Sequence, residues 1–130
     1  MELAAIERLI IADLPNAFFT GTFAWQHKNP CDIDVVTNWD KESLVKYLAE
    51  KKYKYKTNGG SLGSVVVKGT QLNIITVPDC ADYNAWLLAT RIMGLISPVQ
   101  SRDKRHGLFE ALRALVKMGE LTPRKEGLPC

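Results

Sequence analysis

Two acidic residues one strand step apart are the residues of this sequence best suited to chemistry. Asp32 and Asp34 flank Ile33, and Val35 follows. On a β-strand, side chains at i and i+2 point to the same face, so the two carboxylates would lie about 7 Å apart at the backbone. Carboxylates at that distance repel each other, and a divalent cation removes the repulsion. Because Mg²⁺ prefers carboxylate and phosphate oxygens, the pair predicts a magnesium site.

A glycine followed by a hydroxyl residue precedes the acidic pair. Gly21 and Thr22 come directly after the apolar, β-prone run Ala17-Phe18-Phe19-Thr20, and residues 23–31 separate them from Asp32. Glycine allows the backbone to approach a phosphate closely. Together with a carboxylate-bound metal, this pair predicts a triphosphate site.

The two motifs together resemble the signature of the polymerase-β-like nucleotidyltransferase superfamily. In that signature a hydrophobic residue, Gly, and Gly or Ser are followed, after a spacer of about ten residues, by Asp-hydrophobic-Asp/Glu-hydrophobic; here Thr22 replaces the usual Ser. The resemblance covers roughly residues 2–118 and is closest to the minimal, single-domain members. It implies Mg²⁺-dependent transfer of a nucleoside monophosphate from an NTP or dNTP to an acceptor hydroxyl. The acceptor would be a protein, an RNA end or a small molecule.

The family's third carboxylate is replaced here. It lies on the second strand of the hairpin, beside the acidic pair, and the corresponding run Gln71–Ile75 places Asn73 at that position. An amide oxygen can coordinate a metal, but it cannot take the proton of the attacking hydroxyl. Asp79 and Asp82 follow the strand and are candidate substitutes. The alternative is a catalytically degenerate domain that binds nucleotide, nucleic acid or a partner protein.

Several basic residues are candidates for binding phosphate. Lys28 lies between Gly21 and the acidic pair, and Lys104 and Arg105 open the last predicted helix, followed by His106. A helix N-terminus favours anions, so cations there are not explained by the helix dipole. A phosphate or polynucleotide role is the other interpretation. The lysines of residues 51–56 are predicted to be a solvated face, or the surface of a nucleic-acid adaptor.

The elements that would position these residues follow from periodicity and turn signals. Helices are predicted over residues 2–12, 40–51, 83–96 and 101–118, with Asp40 as an N-cap. Strands are predicted over residues 17–20, 32–37 and 53–56, and a hairpin over 64–68 and 71–77 around Gly69-Thr70. This order predicts an α/β (α+β) fold, a small mixed β-sheet with helices packed on it.

Composition is that of an ordinary globular protein. The 130 residues are 46% hydrophobic and 24% charged, with a net charge of +3 that suits an anionic ligand. The length fits one domain, which the resemblance implies is a nucleotidyltransferase-like domain over residues 1–120, and Pro123 and Gly127 indicate a tail over 121–130. The three cysteines, odd in number and widely spaced, argue against a disulfide framework or a zinc site. We therefore expect a cytoplasmic protein with no membrane contact. Its oligomeric state is left open.

Overall fold

The computed structural model describes residues 3–21, 24, 32–57, 64–96 and 102–119. In chain order the elements are α1 (Ala5–Asp13), β1 (Phe18–Thr20), β2 (Ile33–Thr37), α2 (Lys41–Glu50), β3 (Tyr55–Thr57), β4 (Ser64–Val67), β5 (Leu72–Thr76), α3 (Cys80–Ile96) and α4 (Arg102–Lys117). The predicted fold class, a mixed sheet with helices packed on it, is confirmed. The predicted tail over 121–130 lies outside the described residues.

The five strands form one sheet in the order β1-β2-β5-β4-β3. The central strands β2 and β5 are parallel, and the other three neighbouring pairs are antiparallel. The predicted hairpin is confirmed as β4 and β5. Its turn is longer than expected, because Thr70 Oγ1 donates to the Val67 carbonyl at 2.8 Å and accepts from the Leu72 amide at 3.1 Å. These bonds close the turn that joins β4 to β5.

The sheet has a hydrophobic core on each face. Ile33 and Val35 belong to one core, which packs against α1 and α2. Val36 and Ile75 belong to the other, which packs against α3 and α4. Because side chains alternate along a strand, Asp34 shares the second face with Val36. The predicted inward direction of Ile33 and Val35 is therefore confirmed, and the acidic residue of β2 lies on the α3–α4 side.

Carboxylates cap the starts of two helices, α2 and α3. Asp40 Oδ1 accepts from the Ser43 amide at 2.7 Å, which confirms the predicted N-cap of α2. Helix α3 begins at Cys80, three residues before the predicted start, because Asp79 Oδ2 accepts from the Asp82 amide at 3.0 Å. Asp79, in the loop that follows β5, therefore serves as the cap of α3.

Cys80 is the only cysteine within the described residues, and it is disulfide-bonded. Cys31 and Cys130 lie outside those residues. The argument from cysteine spacing against disulfides is therefore wrong for Cys80. No helix in the described ranges combines the length and apolar character needed to cross a membrane.

Candidate functional site

Three adjacent strands bring the predicted site residues together. In the sheet register, Asp34 on β2 pairs with Thr20 on β1 and with Asn73 on β5. The Asn73 amide nitrogen donates to Asp34 Oδ1 at 3.0 Å. Asn73 therefore lies beside the acidic motif, as the sequence predicted. One oxygen of Asp34 is thereby oriented by an amide on the neighbouring strand.

The other oxygen of Asp34 lies against Gly21. Gly21 has a φ of +69°, and a Cβ at this position would collide with Asp34 Oδ2. The preceding residue, Thr20, is buried, and its hydroxyl pairs with that of Thr90 on α3 at 2.9 Å. This hydrogen bond connects the end of β1 to α3. At the next position, only glycine lets the backbone pass this close to the Asp34 carboxylate.

The environment of Asp34 disfavours its charge. Burial raises the pKa of the Asp34 carboxyl above its ordinary value, and the nearby Asp32 carboxylate raises it further. The hydrogen bond from Asn73 and the charge of His106 act in the opposite direction. A cation placed between the two aspartates would relieve both the burial cost and the mutual repulsion.

The oxygen atoms at this point of the sheet suit a hard cation that is shared with a ligand. Asn73 Oδ1 is buried and has no hydrogen-bond partner among the described residues, since the side-chain amide is oriented by the bond from its nitrogen to Asp34. Within the described ranges no three His, Cys, Asp or Glu side chains group as a metal site. Mg²⁺ commonly uses one or two carboxylates together with substrate phosphates. Asp32, Asp34 and Asn73 carry oxygen donors of the kind that this mode of binding uses.

A pocket of about 150 Å³ opens beside Asp34, between the sheet and the last two helices. It is lined by Thr20, Gly21, Asp34, Asn73, Ile75, Trp86, His106, Phe109, Glu110 and Arg113. The four residues from α4 have the spacing i, i+3, i+4 and i+7, which is one face of a helix. The sequence alone shows this periodicity. It does not show that this face of the helix packs against the Asp34 side of the sheet.

The basic residues predicted to bind phosphate do not line the Asp34 pocket where the structure describes them. Lys104 is exposed and Arg105 is buried, and neither lines the Asp34 pocket, whereas His106 does. Thr22 and Lys28 lie outside the described residues. Asp32 is exposed, directly before β2. Sequence reasoning did not single out Glu110 or Arg113, and it assigned Trp86 to the core, where it lies while also lining the pocket.

The candidate substitutes for the third carboxylate have other partners. Asp79 caps α3, and Asp82 forms an ion pair with Lys117 at 2.5 Å. Neither lines the Asp34 pocket. On β5, Asn73 is therefore the side chain that faces Asp34 across the strand pair.

No family model matches the sequence, and neither the curated proteins nor the solved structures contain a significant match. The resemblance to polymerase-β-like nucleotidyltransferases therefore stays a prediction from the sequence motifs.

Proposed function

We propose that this chain is a Mg²⁺-dependent nucleotidyltransferase, which transfers a nucleoside monophosphate from an NTP or dNTP to an acceptor hydroxyl. The observation that carries the proposal is the placement of Gly21 against Asp34, with Asn73 on the adjoining strand. This arrangement puts a backbone that can approach phosphate beside a carboxylate that a cation would stabilise. The Asp34 pocket provides space next to both groups.

Each residue of the site has a distinct role in this proposal. Asp32 and Asp34 would hold the metal, which when bound supplies charge stabilisation to the phosphoryl group. Gly21 admits the phosphates, and Asn73 orients Asp34. In the reaction the acceptor oxygen forms a bond to the α-phosphorus, and the bond to pyrophosphate breaks. Since Asn73 cannot accept the hydroxyl proton, that proton passes to water.

A second candidate function is favoured by the same asparagine. A domain with an amide at the position of the family's third carboxylate would bind nucleotide with Mg²⁺ and turn it over slowly or not at all. Such a module would sequester a nucleotide or recognise a partner protein. The two candidates share the binding site, so they differ in turnover and not in binding.

The test uses the full chain with an α-labelled NTP, Mg²⁺ and pools of protein or RNA acceptors. We expect label on an acceptor and its loss in Asp34→Ala. The matched control is Asp13→Asn, because Asp13 accepts from the Tyr47 hydroxyl far from the pocket and an amide keeps that acceptor. Asn73→Asp should raise turnover, whereas Asn38→Asp should not.

The outcomes separate the functions. Binding of the NTP without transfer, with transfer appearing in Asn73→Asp, would establish the degenerate module. Polynucleotide binding that falls steeply with salt and is unchanged in Asp34→Ala would indicate a nucleic-acid adaptor. If the NTP does not bind in the presence of Mg²⁺, the nucleotide site itself is wrong.

A further inference from the structure

An arginine on α4 stacks on two aromatic rings at the wall of the Asp34 pocket. The Arg113 guanidinium carbon lies 4.5 Å from the centroid of the Trp86 ring and 5.7 Å from that of Phe109. Both rings are buried, and they pack edge to face with centroids 5.1 Å apart. Stacking on these rings favours one orientation of the guanidinium.

The hydrogen-bonding capacity of this arginine is not used within the described residues. Arg113 Nε is buried and has no hydrogen-bond partner. The acids near it do not neutralise it: Asp82 is engaged by Lys117, and no ion pair in the described ranges joins Arg113 to Glu110. The Arg113 side chain as a whole is half-buried, but an unsatisfied donor at its buried Nε calls for an explanation.

Arg113 also lines more than one cavity. Besides the Asp34 pocket, it lines a cavity with Ala85 and Ala114 and another with Thr76 and Val77. In the proposed reaction, an acceptor that occupied either cavity would lie beside the guanidinium, whose residue also lines the pocket next to Asp34.

We infer that Arg113 binds an anionic group, a phosphate or a carboxylate, on the acceptor molecule. The planar fork of arginine donors matches the oxygens of either group. The inference rests on the proposed nucleotidyl transfer for the identity of the molecule as an acceptor. The anion site itself is independent of metal and nucleotide, because Arg113 is positioned by Trp86 and Phe109.

The test is the arginine Nε–H region of the ¹⁵N NMR spectrum of the full chain, recorded without nucleotide or Mg²⁺. Inorganic phosphate and acetate are the probes, and chloride at equal ionic strength is the control salt. We expect a saturable shift of the Arg113 signal with phosphate or acetate and none with chloride. The stronger probe identifies the acceptor's anionic group. Arg91, exposed on α3 and away from the pocket, provides the matched control signal.

Variants make the result decisive. Arg113→Lys keeps the positive charge but loses the planar pair of N–H donors. It should weaken anion binding at least tenfold, as measured by the chemical shifts of the backbone amides. Arg91→Lys should leave binding unchanged. Asp34→Asn should also retain anion binding, so failure of the catalytic proposal would not remove this site. A linear or absent shift at Arg113, or an equal shift at Arg91, would overturn the inference.

Discussion

Gly21 combines two constraints that any other residue would violate. Its φ of +69° lies in the left-handed region, and a Cβ would meet Asp34 Oδ2. We expect Gly21→Ala to lower the free energy of unfolding by about 2–4 kcal/mol, the sum of conformational strain and overpacking. Chemical denaturation measures the loss, and titration with a Mg²⁺–nucleotide should show weaker binding.

Gly69 separates the two contributions. Its φ is +81°, but a Cβ there would have no atom within 4 Å. Gly69→Ala should therefore cost only the strain, about 1–2 kcal/mol, and leave nucleotide binding intact. Equal losses in the two variants would show that the contact with Asp34 is unimportant.

We expect Asp34 to make stability fall as the pH rises, the reverse of what a paired surface carboxylate does. Because burial raises the pKa of its carboxyl, the folded protein binds more protons than the unfolded chain between the two pKa values. The free energy of unfolding therefore falls as the pH rises through that interval. Asp34→Asn keeps an acceptor for Asn73 and removes the charge. We expect it to be more stable than the wild type at neutral pH, with the difference vanishing below about pH 4, as urea unfolding would measure.

Asp40 provides a control in which the pKa shift has the opposite direction. Its hydrogen bonds with Ser43 lower the pKa of the Asp40 carboxyl, so its contribution to stability is present above the ordinary pKa and lost as the pH falls. Asp40→Asn should therefore be less stable than the wild type at neutral pH and converge with it in acid. If both variants shifted stability in the same direction, burial would not be the cause at Asp34.

At the scale of elements, Glu7 ties α1 to the start of β5. The side chain is buried, with Oε1 accepting from the Ala4 amide at 2.8 Å and Oε2 from the Gln71 amide at 2.9 Å. Glu7→Ala would leave two backbone donors without their acceptor. We expect a loss of about 2–3 kcal/mol and faster hydrogen exchange at the Gln71 amide.

Glu50 is the matched position for this prediction. It is an exposed glutamate at the end of α2, and Glu50→Ala should change stability by less than about 0.5 kcal/mol. A similar small effect for Glu7→Ala would mean that water replaces both hydrogen bonds.

At the scale of the whole molecule, the two cores make different contributions to the site. Leu48 is fully buried in the core beside α1 and α2, on the sheet face opposite to Asp34. Phe109 belongs to the other core and lines the Asp34 pocket. Both truncations to alanine should destabilise, by about 2–5 kcal/mol for Leu48 and 3–5 kcal/mol for Phe109.

The NMR signal of Arg113 Nε–H distinguishes the two truncations. Phe109→Ala removes an aromatic ring beside the guanidinium and should shift the signal, whereas Leu48→Ala should leave it in place. A shift in both variants would indicate that the sheet transmits packing changes between its faces.

Local patterns in the sequence were sufficient for most of the elements. Alternation from Asp32 to Val35 determined which side chains share a face, the β-branched runs around Gly69 indicated the hairpin, and Asp40 marked the start of α2. Each of these features depends on residues a few positions apart. The resemblance to nucleotidyltransferases further implied that Asn73 would lie beside the acidic pair.

Only the tertiary structure decided how the site is enclosed. Parallel pairing of β2 with β5 sets Asp34 opposite Asn73 across a crossover that contains α2, β3 and β4. The face of α4 that carries Glu110 and Arg113 reaches Asp34 because α4 packs beside α3 on that side of the sheet. Such contacts join segments far apart in the chain. Periodicity reports the exposed and buried sides of each segment, but not which segment its buried side will meet.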